Sequence, residues 1–374
     1  MFATSITPTS SFTDQSLHQE IAASIQSLLA NGQWASYRAP VLDHLKAEIA
    51  NRIRVSNVRL CSSGSIAMEL ALRGCGLKEG DEVICPALDY PGNIRAVRLV
   101  GASPVVVDVA ENRWTLDVEK MADAASDRTR AVIVSHLYGE IADVVTLRKT
   151  CDDRGWLLIE DVCQMPGGTI DHSPLGSFGH VAAFSFGGSK PITAGSGGAV
   201  VTSDERISQR ITSYIDRPSE LSPLSPLQAA VLLPQWRRLD ALIDLHLLTL
   251  KNFVNKCGAR FPTWRMPAME TGHQKRCFYK LPIQIETASH RDRGTEEEKN
   301  RIIAELSCAH ISAGVSFRTI QRVAGGRGRM MGCKNAEAIS ANCFLLDHRS
   351  LAGSSESGER LLESLTSIYD RGLQ

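Results

Sequence analysis

Between Val58 and Ser203 short β-rich runs alternate with stretches of helical periodicity, and this alternation constrains the chain more than any other feature. The runs are Val58 to Cys61, Glu82 to Cys85, Pro104 to Asp108, Ala131 to Ser135, Trp156 to Glu160, Val181 to Phe186 and Ala199 to Thr202. Each is short and largely apolar, as a strand buried on both faces must be. Helices fit between them. Ser65 to Arg73 repeats apolar residues at Ile66, Leu70 and Ala71, behind a Ser62-Ser63-Gly64 turn that offers capping hydroxyls. The pattern predicts an α/β fold with a mainly parallel seven-stranded sheet covered by helices.

After Arg217 the texture changes, because Pro218, Pro223 and Pro226 break the chain before a helical segment from Leu227 to about Val254. Residues 1–235 are therefore expected to form a large domain, and residues 236–374 a linker helix with a smaller C-terminal α+β domain. A length of 374 residues suffices for both. In the second part Tyr279 to Ile285 reads as a strand, and Glu297 to Ala309 and Gly358 to Ile368 as helices. The stretches Glu286 to Lys299 and Gly325 to Arg329 read as loops.

Charge narrows the choice of partner. Lys plus Arg (41) equals Asp plus Glu (41), so no global field draws nucleic acid or an anionic membrane, and a small ligand fits better. The N-terminus lacks the cationic flank and apolar stretch of a secretory signal, and no apolar run approaches the roughly 20 residues that cross a bilayer. The ten cysteines are scattered without a C-x-x-C pair, several in apolar contexts such as Val83-Ile84-Cys85. That usage points to a reduced, cytoplasmic protein without a structural zinc site.

Four segments carry chemistry, each at the end of an expected strand. Cys61-Ser62-Ser63-Gly64-Ser65 turns into a helix whose free amides and positive end suit an anion. Pro86 to Pro91 places the aromatic Tyr90 where it can lie on a planar ring. Ile159 to Gln164 sets Asp161 at the strand edge where α/β sheets bind ligands. Phe184 to Lys190 carries a lysine from an apolar strand into a glycine-rich turn, where poor solvation favours the neutral, nucleophilic amine that an imine needs. Taken singly, these are an ordinary helix cap, a turn aromatic, a turn-closing Asp and a surface lysine. Two phosphate-loop readings fail on context: Pro191 follows the lysine of Gly187-Gly188-Ser189-Lys190, and Gly195-Ser196-Gly197-Gly198 precedes a strand instead of following one. Together, the anion cradle, aromatic platform, carboxylate and lysine are what pyridoxal 5′-phosphate requires for its phosphate, ring face, ring nitrogen and aldehyde.

From about Gln33 to Arg217 the sequence closely resembles the DegT-type (DegT/StrS) sugar and cyclitol aminotransferases, fold-type I enzymes dependent on pyridoxal phosphate. The likeness lies in Ser63-Gly64-Ser65, Gly80 to Pro86, Gly101 to Asp108, His136-Leu137-Tyr138-Gly139, Glu160 to Gln164 and Ser185 to Gly198. It implies an aspartate-aminotransferase-like fold and a homodimer. It also implies transfer of an amino group from glutamate or glutamine to a keto-sugar or keto-cyclitol, in aminosugar or antibiotic biosynthesis. By the same resemblance Lys190 carries the cofactor as a Schiff base and Asp161 partners the pyridine nitrogen. Gln164 bonds the ring hydroxyl, Tyr90 covers one ring face and Cys163 the other, and Gly64, Ser65 and Ser185 hold the phosphate.

The sequence departs from the family in three places. Leu221 to Pro226 replaces a segment whose Asn reaches the neighbouring subunit's cofactor, Cys163 stands where Ala is common, and Glu140 replaces an amide. Two other readings follow from the departures and from the scaffold: a dehydratase or other elimination enzyme, and a catalytically decayed partner subunit. The dehydratase branch replaces the lysine, so Lys190 favours transamination. The joint presence of Lys190, Asp161 and Gln164 argues against decay. Arg217, Arg318 and Arg349 are candidates for the donor carboxylate.

Overall fold

A computed structural model of the chain describes residues 14–216, 221–269, 272–286, 293–320, 328–350 and 355–372. All seven expected strands form: β1 (Asn57–Cys61), β2 (Glu82–Pro86), β3 (Ser103–Val107), β4 (Thr129–Ser135), β5 (Leu157–Asp161), β6 (Val181–Ser185) and β7 (Gly198–Thr202). The C-terminal part adds β8 (Trp264–Arg265), β9 (Lys280–Ile285), β10 (Ala313–Val315), β11 (Arg329–Met330) and β12 (Cys343–Asp347). Strand order in the large sheet is β1-β7-β6-β5-β4-β2-β3-β11. From β6 to β11 all neighbours are parallel, whereas β7 runs against both β1 and β6. A second sheet, β8-β9-β12-β10, is antiparallel and has an apolar cluster of its own around Phe261, Trp264, Phe344 and Leu365.

The large sheet thus has one strand more than the expected seven. The eighth, β11, comes from the stretch expected to be a loop at Gly325 to Arg329, of which residues 325–327 lie outside the described residues. Its cause is tertiary: Arg329 donates to the Glu82 carboxylate, which is buried and also bonded by Ser126 and Arg128. The expected loop at Glu286 to Lys299 is also corrected, since a helix, Arg293–Cys308, begins inside it. Acidic residues suit its first turns, and Lys299 is buried with its ammonium donating to Ser340 O at 3.0 Å.

The segment from Leu227 is two helices rather than one. Pro226–Arg237 starts with a capping box between Ser225 and Gln228, and Leu239–Arg260 follows a turn at Arg238. The first of these helices anchors the middle of the large sheet. Its Trp236 is buried edge-on against Phe184 and Phe186, with ring centroids 6.1 Å apart in each case. Three such rings remove about 150–250 Å² each from water, several kcal/mol per ring. Among the described residues no helix is long and apolar enough to cross a membrane.

Candidate active site

The parallel strands end on one edge, and that edge gathers the segments singled out above. Helix α1 (Gly64–Gly74) starts immediately after β1, capped by Ser63, whose hydroxyl accepts from Ile66 N at 3.2 Å. The start of α1 packs against Ser185 at the end of β6. A side chain at Gly64 would lie 2.6 Å from Ser185 Cβ, 2.8 Å from its Oγ and 3.3 Å from Cys163 Sγ, so glycine lets the helix start pack closely against both and forms with them the wall of a cradle. Ser65 lies beside it, its hydroxyl 3.5 Å from Tyr90 Oη. A helix start with free amides and hydroxyls on both sides suits a phosphate.

Tyr90 stands before helix α2 (Pro91–Leu99) and is 46% exposed, which leaves a ring face open to a ligand. Phe317 supports it, with centroids 6.1 Å apart, and Phe317 in turn meets Tyr138 at 5.7 Å. Tyr138 occupies the left-handed region (φ 54°) and its amide donates to Gln164 Oε1 at 3.3 Å, which orients that side chain. The phenol of Tyr138 accepts from Phe317 N at 2.8 Å, so Phe317 is tied to the same edge.

Asp161, the last residue of β5, accepts from Cys163 N and from Asn93 Nδ2, both at 2.9 Å. Lys190 sits in a turn closed by its own amide to Gly187 O, with its ammonium 4.2 Å from the centre of the Tyr279 ring. The Tyr279 phenol lies 2.7 Å from Ser189 Oγ. The loop beyond Lys190 is held from outside, because Gln235 bonds both N and O of Thr193 and Gln228 bonds O and Oγ of Ser196. The lysine is therefore presented on a braced loop. Burial pushes the Cys163 thiol up, Asp161 adds to the effect, and Lys190 opposes it.

Several contributors escaped sequence reasoning. Asp89 and Asn93 flank Tyr90 four residues apart, and that i, i+4 spacing at a helix start was the available signal; both bond into the Asp161 network. Tyr279 and Phe317 come from the C-terminal part and gave no local sign. Of the arginines suggested for a carboxylate, Arg349 is engaged by Asp347 at 2.8 and 2.9 Å and Arg318 is exposed, while Arg217 lies outside the described residues. Leu221 to Pro226, in place of the Asn-bearing segment, supplies the cap of the helix that braces the lysine loop.

Comparison with known proteins adds an independent line. The model described as the DegT/DnrJ/EryC1/StrS aminotransferase family matches residues 15–365. GDP-perosamine synthase of Vibrio cholerae is 34% identical over 174 residues, 46% of this chain and 47% of that protein. L-glutamine:2-deoxy-scyllo-inosose aminotransferase of Streptomyces kanamyceticus is 34% identical over 194 residues, 50% of this chain and 45% of its own. The chain thus spans about half the length of these curated relatives. Over the whole fold it is similar to the crystal structure of 3-amino-5-hydroxybenzoic acid synthase, with TM-score 0.84 and 25% identity, covering 97% of this chain and 98% of that one.

Proposed function

The chain belongs to the DegT/DnrJ/EryC1/StrS aminotransferase family, and from that premise we propose that it moves an amino group from glutamate or glutamine to a keto-sugar or keto-cyclitol. The cofactor is pyridoxal 5′-phosphate. When bound, it supplies an aldehyde carbon that takes up the amino group and a ring that draws electrons from it. The close approach at Gly64 is the observation that carries the fit, since without a side chain there the helix start comes up against Ser185 and Cys163 and its amides share one corner with the hydroxyls that a phosphate would need.

In this reading Gly64, Ser65 and Ser185 hold the phosphate, and Asp161, fixed by two donors, faces the ring nitrogen. Gln164, oriented by the Tyr138 amide, meets the ring hydroxyl. Tyr90 and Cys163 cover the two faces. Lys190 would hold the cofactor's aldehyde carbon, and its free amine would carry the proton at the donor's α-carbon. The braced loop keeps that amine in place while it changes role. The names of the relatives, one a sugar synthase and one a glutamine-dependent cyclitol aminotransferase, support the substrate class.

The reading divides the chain into a cofactor-binding part, 1–235, and a helix with a small domain, 236–374. It also takes the enzyme to be a cytoplasmic homodimer. Among the described residues the cysteines form no disulfide, which agrees with a reducing compartment. A screen of amino donors and keto acceptors on the holoenzyme tests the function. Glutamate or glutamine should convert the bound cofactor to its aminated form, and a keto-sugar or keto-cyclitol should restore it. Elimination of water from a sugar without uptake of nitrogen would refute the proposal.

A further inference from the structure

Behind Asp161 lies a second carboxylate that no step above uses. Asp89, in the turn after β2, is 1% exposed, and Asp161 is 7% exposed. Asn93 joins them, its Nδ2 donating to Asp89 Oδ2 and to Asp161 Oδ2 at 2.9 Å each. Asp89 also accepts from Ser135 Oγ at 2.9 Å and from Tyr90 N at 2.7 Å. Its other titratable neighbours are Cys85 on β2 and Tyr138 beyond β4, and among the described residues no cation pairs with it.

Two buried carboxylates bridged by one amide, without a cation beside the inner one, do not both stay ionised near neutrality. The outer member, Asp161, faces the site and keeps its two donors. The inner member has Ser135 beside it, whose hydroxyl can turn from donor to acceptor when Asp89 gains a proton. Burial, and after it the charge of Asp161, push the Asp89 carboxyl up to about 7, in line with this division.

We propose that Asp89 is a positioning residue for Asp161: through the Asn93 amide it fixes where that carboxylate points, and by holding a proton it leaves the pair's one negative charge on Asp161. The same carboxyl holds the backbone of Tyr90, so one buried group sets both the ring-nitrogen partner and the ring-face aromatic. This inference rests on the assignment of Asp161 to the ring nitrogen.

The test is titration of the apo protein with pyridoxal 5′-phosphate, followed by fluorescence and by the absorbance of the bound form. Asn93→Ala cuts the bridge and should weaken cofactor binding about 10-fold or more, as loss of a supporting hydrogen bond does at other bound groups. The apo melting temperature reports fold loss separately. If the alanine variant folds poorly, Asn93→Thr, too short to span both carboxylates, carries the same expectation. Asp89→Asn removes one of the two oxygens on which Asn93, Ser135 and the Tyr90 amide converge, so at about pH 6 it should weaken cofactor binding as Asn93→Ala does. Above about pH 8 the native protein carries a second negative charge there and the variant does not, so the ratio of their dissociation constants should shift with pH.

Unchanged cofactor binding in both Asn93 variants would overturn the inference, as would unchanged binding in Asp89→Asn at pH 6. Asp161→Ala distinguishes the two levels. If it too leaves cofactor binding unchanged, the assignment of Asp161 has failed. If it weakens binding while the Asn93 variants do not, only the positioning role has failed.

Discussion

Lys190→Ala is expected to abolish turnover and the absorbance of the lysine-linked cofactor together. The residue has two duties in the proposed mechanism, anchoring the aldehyde carbon and moving the proton at the donor's α-carbon. Loss of proton transfer alone costs about 10²–10⁴-fold in rate. Loss of the anchor removes the imine absorbance as well and leaves only that of the free aldehyde. Lys190→Arg separates charge from nucleophilicity, because a guanidinium keeps the cation over Tyr279 but stays protonated and does not attack a carbonyl. It should be as inactive as the alanine variant. The measurement is a coupled amino-transfer assay beside the visible spectrum, and near-native turnover in either variant would contradict the mechanism.

Gly198→Ala should have the largest effect on stability among single-methyl additions near the site. The added Cβ would fall 2.4 Å from Ser63 O and 2.9 Å from Gly64 N, both backbone atoms of the cradle. Neither can rotate away as a side chain would. Gly198 pairs with Cys61 on β1 and with Ser185 on β6, so relief of the clash must pry β7 from two neighbours at once. Overpacking costs about 1–3 kcal/mol where side chains yield, and the backbone clash places this variant at or beyond the upper end, about 3 kcal/mol. Urea denaturation of the apo protein should show the loss, together with weaker cofactor binding. A change below about 1 kcal/mol would mean that the cradle tolerates displacement.

Much of the large sheet was legible because its strands announce themselves. Val83-Ile84-Cys85 and Ala131 to Ser135 are apolar runs that only a doubly covered sheet can bury, and each observed strand falls within a few residues of its expected limits. β11 was not legible, since two residues beside glycine carry no periodicity and pair with β3 only where Arg329 reaches Glu82. The break at Arg238 was hidden for a related reason: apolar residues continue through it without a glycine. Arg238 is instead held by Asp14 and Glu20, more than two hundred residues earlier in the chain.

The site divides in the same way. Gly64, Asp161, Ser185 and Lys190 each lie at or just beyond a strand end, where local sequence suffices to mark them. Tyr279 under Lys190 and Phe317 beside Tyr90 arrive from the C-terminal part by tertiary packing, and no local pattern records such a meeting. Asp89 is intermediate. It sat within a segment that already drew notice for Tyr90, yet its bridge to Asp161 spans strands β2 and β5 and becomes visible only once both are placed.

Borohydride reduction of the holoenzyme, followed by digestion and mass mapping of the pyridoxyl-modified peptide, tests the central claim most directly. The account predicts one modified residue, Lys190, in the peptide that contains Phe186-Gly187-Gly188-Ser189. A label on any other lysine, or none in protein saturated with cofactor, would contradict it.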